Sequence, residues 1–580
     1  MNAHNNNIGE DAPPPEWPMS NGRRLDGEGH YRHPVDWEAG FEPLSVPDML
    51  ARGAQMAGDR DVADFLGKTL TYREALAQAR RIAAALQAAG IGKGDRVGLF
   101  LPNVPLYITA YYGIMIAGAT AVNFSPLYTV EELSAQVEDS GVTLLFTVDS
   151  SALLPTAIEV LDCSAVNRLV VGHLPGMMPW WMGLAMKLLK RSDLTPLPSD
   201  PRITALDRFV AGAGEPAPVA IDPEKDIALL QYTGGTTGRP KGAMLSHANL
   251  AANAQQVNAI DPFDRSEPDI IMGALPLFHV FANTCVLNRS IVRGATIAMV
   301  PRFDANDVLK TLKRARCTGF PGVPTMFQAL LDHPRIAQTD FSQLRICISG
   351  GAPLADPLRE KWEKVTGVRL VEGYGLTESS GVVSTNPYEA QRKNGTIGQV
   401  LPQTRLLLLD KEDASKLAPE GEPGELAING PQIMQGYWNL PQADAEVFVE
   451  HHGRKWLRTG DVATIGEDGF VAIVDRIKDM IAVGGFKVFP SQVEDVLQEN
   501  PAIRDVLVIG VPDDYKGEVP RAYATLNADA RAPSAEELRD WLNSRVGKHE
   551  RVDKVVIREE LPVTMVGKLD RKALRAEVLG

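Results

Sequence analysis

Residues 232–242 read Y-T-G-G-T-T-G-R-P-K-G. The run in front of it, D-I-A-L-L-Q-Y (226–232), is apolar and of strand length. Behind it, Ser246 stands ahead of H-A-N-L, where a hydroxyl caps a helix running through Ala251 and Val257. The stretch between carries three glycines (Gly234, Gly235, Gly238), three hydroxyl residues (Thr233, Thr236, Thr237) and Lys241. Glycines let backbone N–H groups turn inward, and hydroxyls and lysine add donors, which together make a cradle for phosphate oxygens. The Walker A pattern would need Gly-Lys-Ser/Thr opening a helix. Here Lys241 follows Pro240 and precedes Gly242, which predicts a mobile lysine on a hairpin. Taken alone, G-G-T-T-G is equally an ordinary turn between two strands.

At 580 residues the chain is too long for one compact core, so several domains or lobes are expected. A formal net charge of −14 argues against a nucleic-acid partner, which would want a basic face. An acidic chain that holds phosphate must focus positive charge locally, which adds weight to single lysines and arginines in glycine-rich loops. Four cysteines (Cys163, Cys285, Cys317, Cys347) lie without CxxC spacing and read as buried thiols of a reducing, cytoplasmic compartment. The start, M-N-A-H-N-N-N-I-G-E-D-A-P-P-P-E, has neither a basic nor an apolar signal region, and its polar, Pro-rich texture predicts a disordered tail over residues 1–29.

Further along, T-Y-R-E (71–74) is a capping box, and Leu76, Ala79, Ala83 and Leu86 recur at helical spacing up to Gly90. D-R-V-G-L-F-L (95–101) reads as a buried strand, and residues 108–117 as an apolar helix ended by Gly118. Residues 270–277 predict a strand that runs into L-F-H-V-F, where His279 stands between aromatics. By default such a histidine is a satisfied core residue. A strand over 344–349 enters G-G-A-P-L, with Asp356 as cap and Pro357 opening a helix that ends at Gly367. The next strand, 368–371, delivers E-G-Y-G-L-T-E (372–378). This alternation predicts an α/β fold with a largely parallel sheet. Beyond Gly395 the texture turns to β-hairpins, one of them around Asp468-Gly469, and D-R-I-K-D (475–479) marks a boundary. The roughly 100 residues past that boundary, with a capping box at S-A-E-E (534–537), suffice for a small α+β domain.

From Leu174 to Arg191 the chain reads L-P-G-M-M-P-W-W-M-G-L-A-M-K-L-L-K-R, too short to span a bilayer. Its tryptophans and basic end suit a peripheral membrane contact, while the more ordinary reading is a surface insertion folded over the domain, covering a partner subunit.

Open α/β sheets place ligands at strand ends, where several of these loops fall. Gly350-Gly351-Ala352-Pro353 offers a flat backbone surface to a base, and Tyr374, Thr377 and Glu378 an aromatic face, a hydroxyl and a carboxylate. Glu378 by itself reads as a solvated or capping carboxylate; beside a triphosphate it becomes a magnesium ligand. Asp461, in W-L-R-T-G-D, suits ribose hydroxyls, with Arg476 a second cation near the boundary.

In this order, from about Val46 to Arg575, the motifs resemble those of the acyl-adenylate-forming enzymes, and most closely bacterial fatty-acyl-CoA synthetases. The shared pattern continues as T-G-D-V (459–462), D-R-I-K-D-M-I (475–481), G-G-F-K-V-F-P (484–490) and E-D-V (494–496). The resemblance implies a large domain over 30–474 with a β-rich subdomain, a hinge at 475–478 and a small mobile domain over 479–580. It implies ATP, Mg²⁺ and coenzyme A. Thr233 to Lys241 would wrap the β- and γ-phosphates. Gly351, Ala352 and Tyr374, within strand-end loops that include Glu372 and Gly375, would hold the adenine. Thr377 would meet phosphate, Glu378 the magnesium and Asp461 the ribose, with Arg476 beside it. His279 would gate the path between the acyl and thiol pockets. Lys478 would be the hinge, Gly485 would line the pantetheine channel and Lys568, in M-V-G-K-L, would be the mobile catalytic lysine.

The reaction so implied joins a fatty acid of medium or long chain to AMP with loss of pyrophosphate, then to coenzyme A. G-F-P-G-V-P (319–324) and the His279 region, apolar and hydroxyl-poor, suit an alkyl chain. A dicarboxylic or aryl acid, transfer to a separate carrier protein, and a binding protein without turnover remain alternatives. A homodimer is also in keeping with the family.

Overall fold

The computed structural model describes the chain apart from residues 1–18, 21–22, 25–30, 234–239, 265, 485, 514, 528–531 and 565–566. Except for the paired strands Met19–Ser20 and Arg23–Arg24, the expected tail therefore lies outside the described residues. The chain divides into two units. The larger comprises Ala39–Gly395, Pro431–Pro441 and Glu560–Gly580; the smaller comprises Met1–Glu38, Thr396–Gly430 and Gln442–Glu559.

Two sheets organise the larger unit. In the first, Ile227–Thr233, Thr120–Asn123, Arg96–Leu99, Leu144–Val148, Arg168–Gly172 and Ile203–Ala205 lie side by side and parallel. Strand Lys241–Ser246 is added antiparallel outside Ile227–Thr233. In the second, Leu370–Tyr374, Ile346–Gly350, Gly319–Gly322, Ile270–Gly273, Thr296–Met299 and Asp61–Phe65 run parallel in that order. Strands buried on both faces account for their continuous apolar runs. The α/β class and the largely parallel sheets read from the sequence are thus present.

Local chemistry sets the helices. Tyr72–Ala88 starts at the Thr71 capping box, whose two reciprocal bonds with Glu74 both form. Pro105–Ile116 begins three residues earlier than the apolar run suggests, because Pro105 sits in its first turn, where a missing N–H costs nothing. This helix is apolar all round and almost wholly buried. Its polar tips find partners inside: Tyr107 donates to Asn123 at 2.8 Å, Tyr112 to Asn288 at 2.9 Å, and Asn123 Nδ2 to Gln231 Oε1 at 2.9 Å. Such a satisfied buried network fixes one register for the helix and the strand that leads to Thr233. Phe327 and Trp362, ring centroids 4.9 Å apart, centre the core beneath the second sheet.

Three details depart from the sequence reading, and a fourth adds to it. Helix Asp356–Thr366 is capped by Ala355, so Asp356 is its first residue, where its charge meets the dipole, and Pro357 its second. The strand expected over 270–277 ends at Gly273, since Pro276 cannot donate to a ladder. Cys163 is exposed at the end of helix Leu154–Cys163, and only Cys285, Cys317 and Cys347 are buried. Residues 174–191 form two helices, Leu174–Met177 and Trp180–Leu189, separated at Pro179. Among the described residues no helix is long and apolar enough to cross a membrane.

The smaller unit carries an antiparallel sheet in the order Arg405–Leu409, Gly424–Asn429, Arg454–Ile465, Phe448–His451, with Val471–Arg476 also paired to Arg454–Ile465. The turn at Asp468-Gly469 joins those last two strands, and Gly469 supplies its φ of 74°. A second sheet, built on the long hairpin Ile503–Asp513 and Gly517–Leu526, is covered by helices Pro490–Gln498 and Ala535–Asn543 over a core of Val493, Leu497, Val508, Leu538 and Leu542.

Candidate active site

Strands Ile227–Thr233 and Lys241–Ser246 pair antiparallel, with Thr233 opposite Lys241. The glycine-rich stretch is therefore the connection of a hairpin, and its two ends are fixed by the ladder. Gly234, Gly235, Thr236, Thr237 and Gly238 lie outside the described residues. Lys241 Nζ stands over the Tyr437 ring, 5.1 Å from its centroid. Ser246 caps helix His247–Ala259 as the sequence predicts.

The two other candidate loops leave neighbouring parallel strands. Gly350 pairs with Gly373, so G-G-A-P and Y-G-L-T-E emerge side by side at the carboxyl ends of Ile346–Gly350 and Leu370–Tyr374. Glu372 braces them: its Oε1 accepts the Leu354 N–H at 3.3 Å. That makes Glu372 a support of the loop that holds Gly351 and Ala352. Gly375 is required by space. A Cβ there would sit 1.9 Å from the Gly381 carbonyl oxygen, because the chain doubles back through the turn Thr377–Ser379. Tyr374 and Thr377 are half-buried at this turn.

Glu378 is half-buried, and its Oε1 accepts the Tyr437 hydroxyl at 2.6 Å. That bond orients the carboxylate and leaves its other oxygen for a ligand. Magnesium takes one or two carboxylates plus phosphate oxygens, so an oriented glutamate beside the Thr377 hydroxyl fits it. Among the described residues no cluster of three or more His, Cys, Asp or Glu could hold a metal by itself. Tyr437 was not legible as a site residue: it lies 59 positions from Glu378. Only the Gly436–Tyr437 bridge to Lys241–Ser246 brings it in.

Lys568 lies at the same place. A Cβ built on Gly351, whose φ is 83°, would fall 2.4 Å from Lys568 Cε and 2.6 Å from Nζ. The lysine side chain therefore occupies the space above Gly351 that any other residue would fill. Its segment is tied down locally, as Thr325 Oγ1 donates to the Gly567 carbonyl at 2.6 Å and the Lys568 N–H to Thr564 Oγ1 at 3.1 Å.

His279 caps the turn Val280–Ala282, and its Nδ1 accepts the Phe281 N–H at 3.3 Å, which puts the proton of the neutral ring on Nε2. Desolvation, and next the Lys568 ammonium, lower its pKa to about 3. The ring is neutral at physiological pH. Phe281 packs on the loop entrance, with its Cζ 3.0 Å from a Cβ built on Gly350. A π-helical turn, Asn283–Asn288, comes next, an irregularity often found at functional sites. Thr284 Oγ1 donates to the Ser380 carbonyl at 2.5 Å, joining this turn to the Glu378 loop.

In the smaller unit, Asp461 and Arg476 face each other across antiparallel strands, and Arg476 Nε donates to Asp461 Oδ1 at 2.9 Å. The Asp461 side chain is 3 % exposed and that of Arg476 59 %, so the pair offers an inner acceptor and an outer donor. Lys478 lies in the turn Ile477–Asp479 directly after that strand. Gly485 lies outside the described residues.

The structure thus brings Thr233, Lys241, His279, Gly351, Ala352, Glu372, Tyr374, Gly375, Thr377, Glu378 and Lys568 into one unit, and Asp461, Arg476 and Lys478 into the other. The family model for AMP-binding enzymes matches residues 50–438, and that for the AMP-binding enzyme C-terminal domain matches residues 492–568. A long-chain-fatty-acid–CoA ligase of Bacillus subtilis (strain 168) is 37 % identical over 94 % of this chain and 97 % of its own. One from Escherichia coli O6:H1 is 36 % identical over 95 % and 98 %. Among solved structures, an anthranilate CoA ligase in complex with anthranoyl-AMP is 25 % identical with a TM-score of 0.81, covering 92 % of this chain and 97 % of that one.

Proposed function

The chain belongs to the AMP-binding enzyme family, and on that premise we propose that it is an AMP-forming acyl-CoA ligase for fatty acids of medium or long chain. Its long-chain-fatty-acid–CoA ligase relatives, matched over nearly their whole length, support the substrate class. The observation that carries the catalytic reading is the placement of the Lys568 side chain over Gly351, in the unit that holds the Thr233–Lys241 hairpin and Glu378.

Charge dictates the first half-reaction. The acid's carboxylate attacks the α-phosphorus of ATP, and pyrophosphate leaves, so two anions meet and negative charge builds on phosphate oxygens. Catalysis is then a matter of positioning and of fixed positive charge. Lys568 supplies an ammonium, and Lys241 with Thr233 and the hairpin amides would hold the β- and γ-phosphates. Gly351, Ala352 and Tyr374 would flank the adenine, with Glu372 and Gly375 shaping their loops, and Asp461 would accept the ribose hydroxyls beside Arg476. Glu378, oriented by Tyr437, would hold Mg²⁺, which neutralises phosphate charge when bound. Neutral His279 adds no charge to the acyl path and, at the head of the π-turn, suits a gate.

In the second half-reaction the thiolate of coenzyme A displaces AMP from the acyl-adenylate. A domain over 479–580 turning at 475–478, about Lys478, would withdraw Lys568 and bring Gly485 to the thiol path. A homodimer and a cytoplasmic site of action complete the proposal, together with peripheral membrane contact through residues 174–191. An aryl acid is the second reading, favoured by the likeness to an anthranilate ligase.

Pyrophosphate release with ATP and Mg²⁺ across saturated, dicarboxylic and aryl acids, each with and without coenzyme A, tests the proposal. Release that needs a fatty acid, with thioester formed only when coenzyme A is added, is the expected result. Release only with aryl or dicarboxylic acids would replace the substrate class. Adenylate without thioester would point to a carrier protein.

A further inference from the structure

Helix Trp180–Leu189 is about 15 Å long and shows solvent an apolar stripe that nothing in the active site uses. Trp180, Leu184 and Leu188 recur every four residues along it, and Trp181 widens the row. These four are 78 %, 49 %, 70 % and 58 % exposed respectively, and Leu189 at the helix end is 85 % exposed. A soluble domain seldom leaves two tryptophans and three leucines open on ten residues.

The opposite face is pinned. A Cβ on Gly183 would sit 2.4 Å from the Pro175 carbonyl oxygen, so the helix lies hard against the short helix Leu174–Met177. Lys68 Nζ donates to the Gly176 carbonyl at 2.6 Å, and Asp149 accepts both the Leu174 N–H at 2.7 Å and the His173 ring at 2.6 Å. The stripe is therefore a fixed feature of the fold.

Charge identifies what it meets. Lys187, Lys190 and Arg191 lie at and beyond the end of the stripe, all with exposed or half-exposed side chains, and among the described residues none of them has a carboxylate partner. Asp193 is the one acid nearby in sequence, in a chain whose net charge is −14. Tryptophans and leucines beside lysines with long stems match the boundary between headgroups and acyl chains, where rings sit at headgroup level and ammonium groups reach phosphate.

We propose that helix Trp180–Leu189 docks on an anionic lipid surface, its stripe in the interface and Lys187, Lys190 and Arg191 on the headgroups. The helix comes after strand Arg168–Gly172, which runs parallel with Ile227–Thr233 in one sheet. The helix and the candidate phosphate hairpin thus both follow the carboxyl ends of parallel strands of that sheet, with three strands between them. The fatty-acid reading gives this contact a use, since long alkyl chains partition into bilayers, but the contact itself is measured without turnover.

The test is co-sedimentation of the full chain with vesicles of phosphatidylcholine alone or mixed with phosphatidylglycerol. Each basic side chain is worth roughly fivefold at an anionic surface, so binding to the mixed vesicles should exceed that to neutral ones on the order of 100-fold. W180A/W181A should lose at least roughly tenfold in binding, and K187E/K190E/R191E should erase the preference for the anionic lipid. Both variants should melt as the parent does. Absence of binding, or equal binding to neutral vesicles, would overturn the proposal. So would a self-association that W180A/W181A abolishes without any vesicle binding, because a second copy would then cover the stripe.

Discussion

The Tyr437 hydroxyl donates to Glu378 Oε1 at 2.6 Å while the Tyr437 ring stands 5.1 Å from Lys241 Nζ, so one side chain touches both the proposed metal carboxylate and the proposed phosphate lysine. Tyr437→Phe keeps the ring under Lys241 and deletes only the donor to Glu378. Hydrogen bonds to charged groups are worth about 1.5–3 kcal/mol, and the partial exposure of Glu378 puts the loss at the low end. The magnesium needed for half-maximal pyrophosphate release should rise about tenfold with little change in kcat. Weaker Mn²⁺ binding in the presence of ATP would confirm that the effect is on the metal. An unchanged magnesium requirement would remove Tyr437 from the site.

Gly375 tests the turn that carries Thr377 and Glu378. An alanine there meets the Gly381 backbone at 1.9 Å and 2.6 Å, and backbone cannot step aside as a side chain does. Gly375→Ala should cost about 1–3 kcal/mol in unfolding free energy and open the turn. Nucleotide should then no longer raise the melting temperature. Gly92→Ala is the control: its nearest neighbour is 3.8 Å away, and its stability should change little. Equal behaviour of the two variants would refute the steric account.

These two sites differ in how far the sequence discloses them. The Gly375 turn lies within one continuous motif, Y-G-L-T-E, after a strand whose apolar run is plain. The Tyr437 contact arises only when a two-residue bridge adds to the edge of a sheet, and no local pattern encodes such a pairing. The same holds for the pairing of Gly350 with Gly373: each strand is legible, but their adjacency is a property of sheet order. Caps were readable at Thr71, Ser246 and Ser534, where side chain and backbone lie within four residues, whereas the cap assigned to Asp356 falls one residue earlier, on Ala355. The π-turn after His279 was not readable either, and its Thr284 bonds the Ser380 carbonyl 96 positions away, a contact no local pattern announces.

Acid should destabilise the fold from a higher pH than carboxylates alone would give. Burial lowers His33 and His247 to about 4, and desolvation aided by Lys568 lowers His279 to about 3. The unfolded chain takes up these protons near pH 6.5 and the folded chain refuses them. Stability is therefore complete above that pH and falls through the window from 6.5 toward 4, by about 1.4 kcal/mol per pH unit for each histidine. His247 can be tested alone, since its Nδ1 accepts the Val46 N–H at 3.2 Å and a glutamine oxygen could replace it. His247→Gln should flatten the melting temperature against pH between 6.5 and 4.5 by about one histidine's share. A slope as steep as the parent's would show that His247 takes its proton when folded.

Lys568 separates the two half-reactions. Its ammonium lies over Gly351, where charge would build as the acid attacks ATP. One well-placed donor is worth on the order of 10²–10³ in rate, so Lys568→Ala should lower acid-dependent pyrophosphate release by about that factor. Thioester formation from supplied acyl-adenylate and coenzyme A should be nearly unchanged, because no pyrophosphate leaves in that step. Gly351→Ala should mimic the first defect, since its Cβ would lie 2.6 Å from Nζ and a φ of 83° strains any side chain. If Lys568→Ala slows both half-reactions alike, the lysine acts in both and rotation about Lys478 is not needed to exchange the catalytic groups. If it slows neither, the chain adenylates by other means, and Lys568 is only the side chain that fills the space above Gly351.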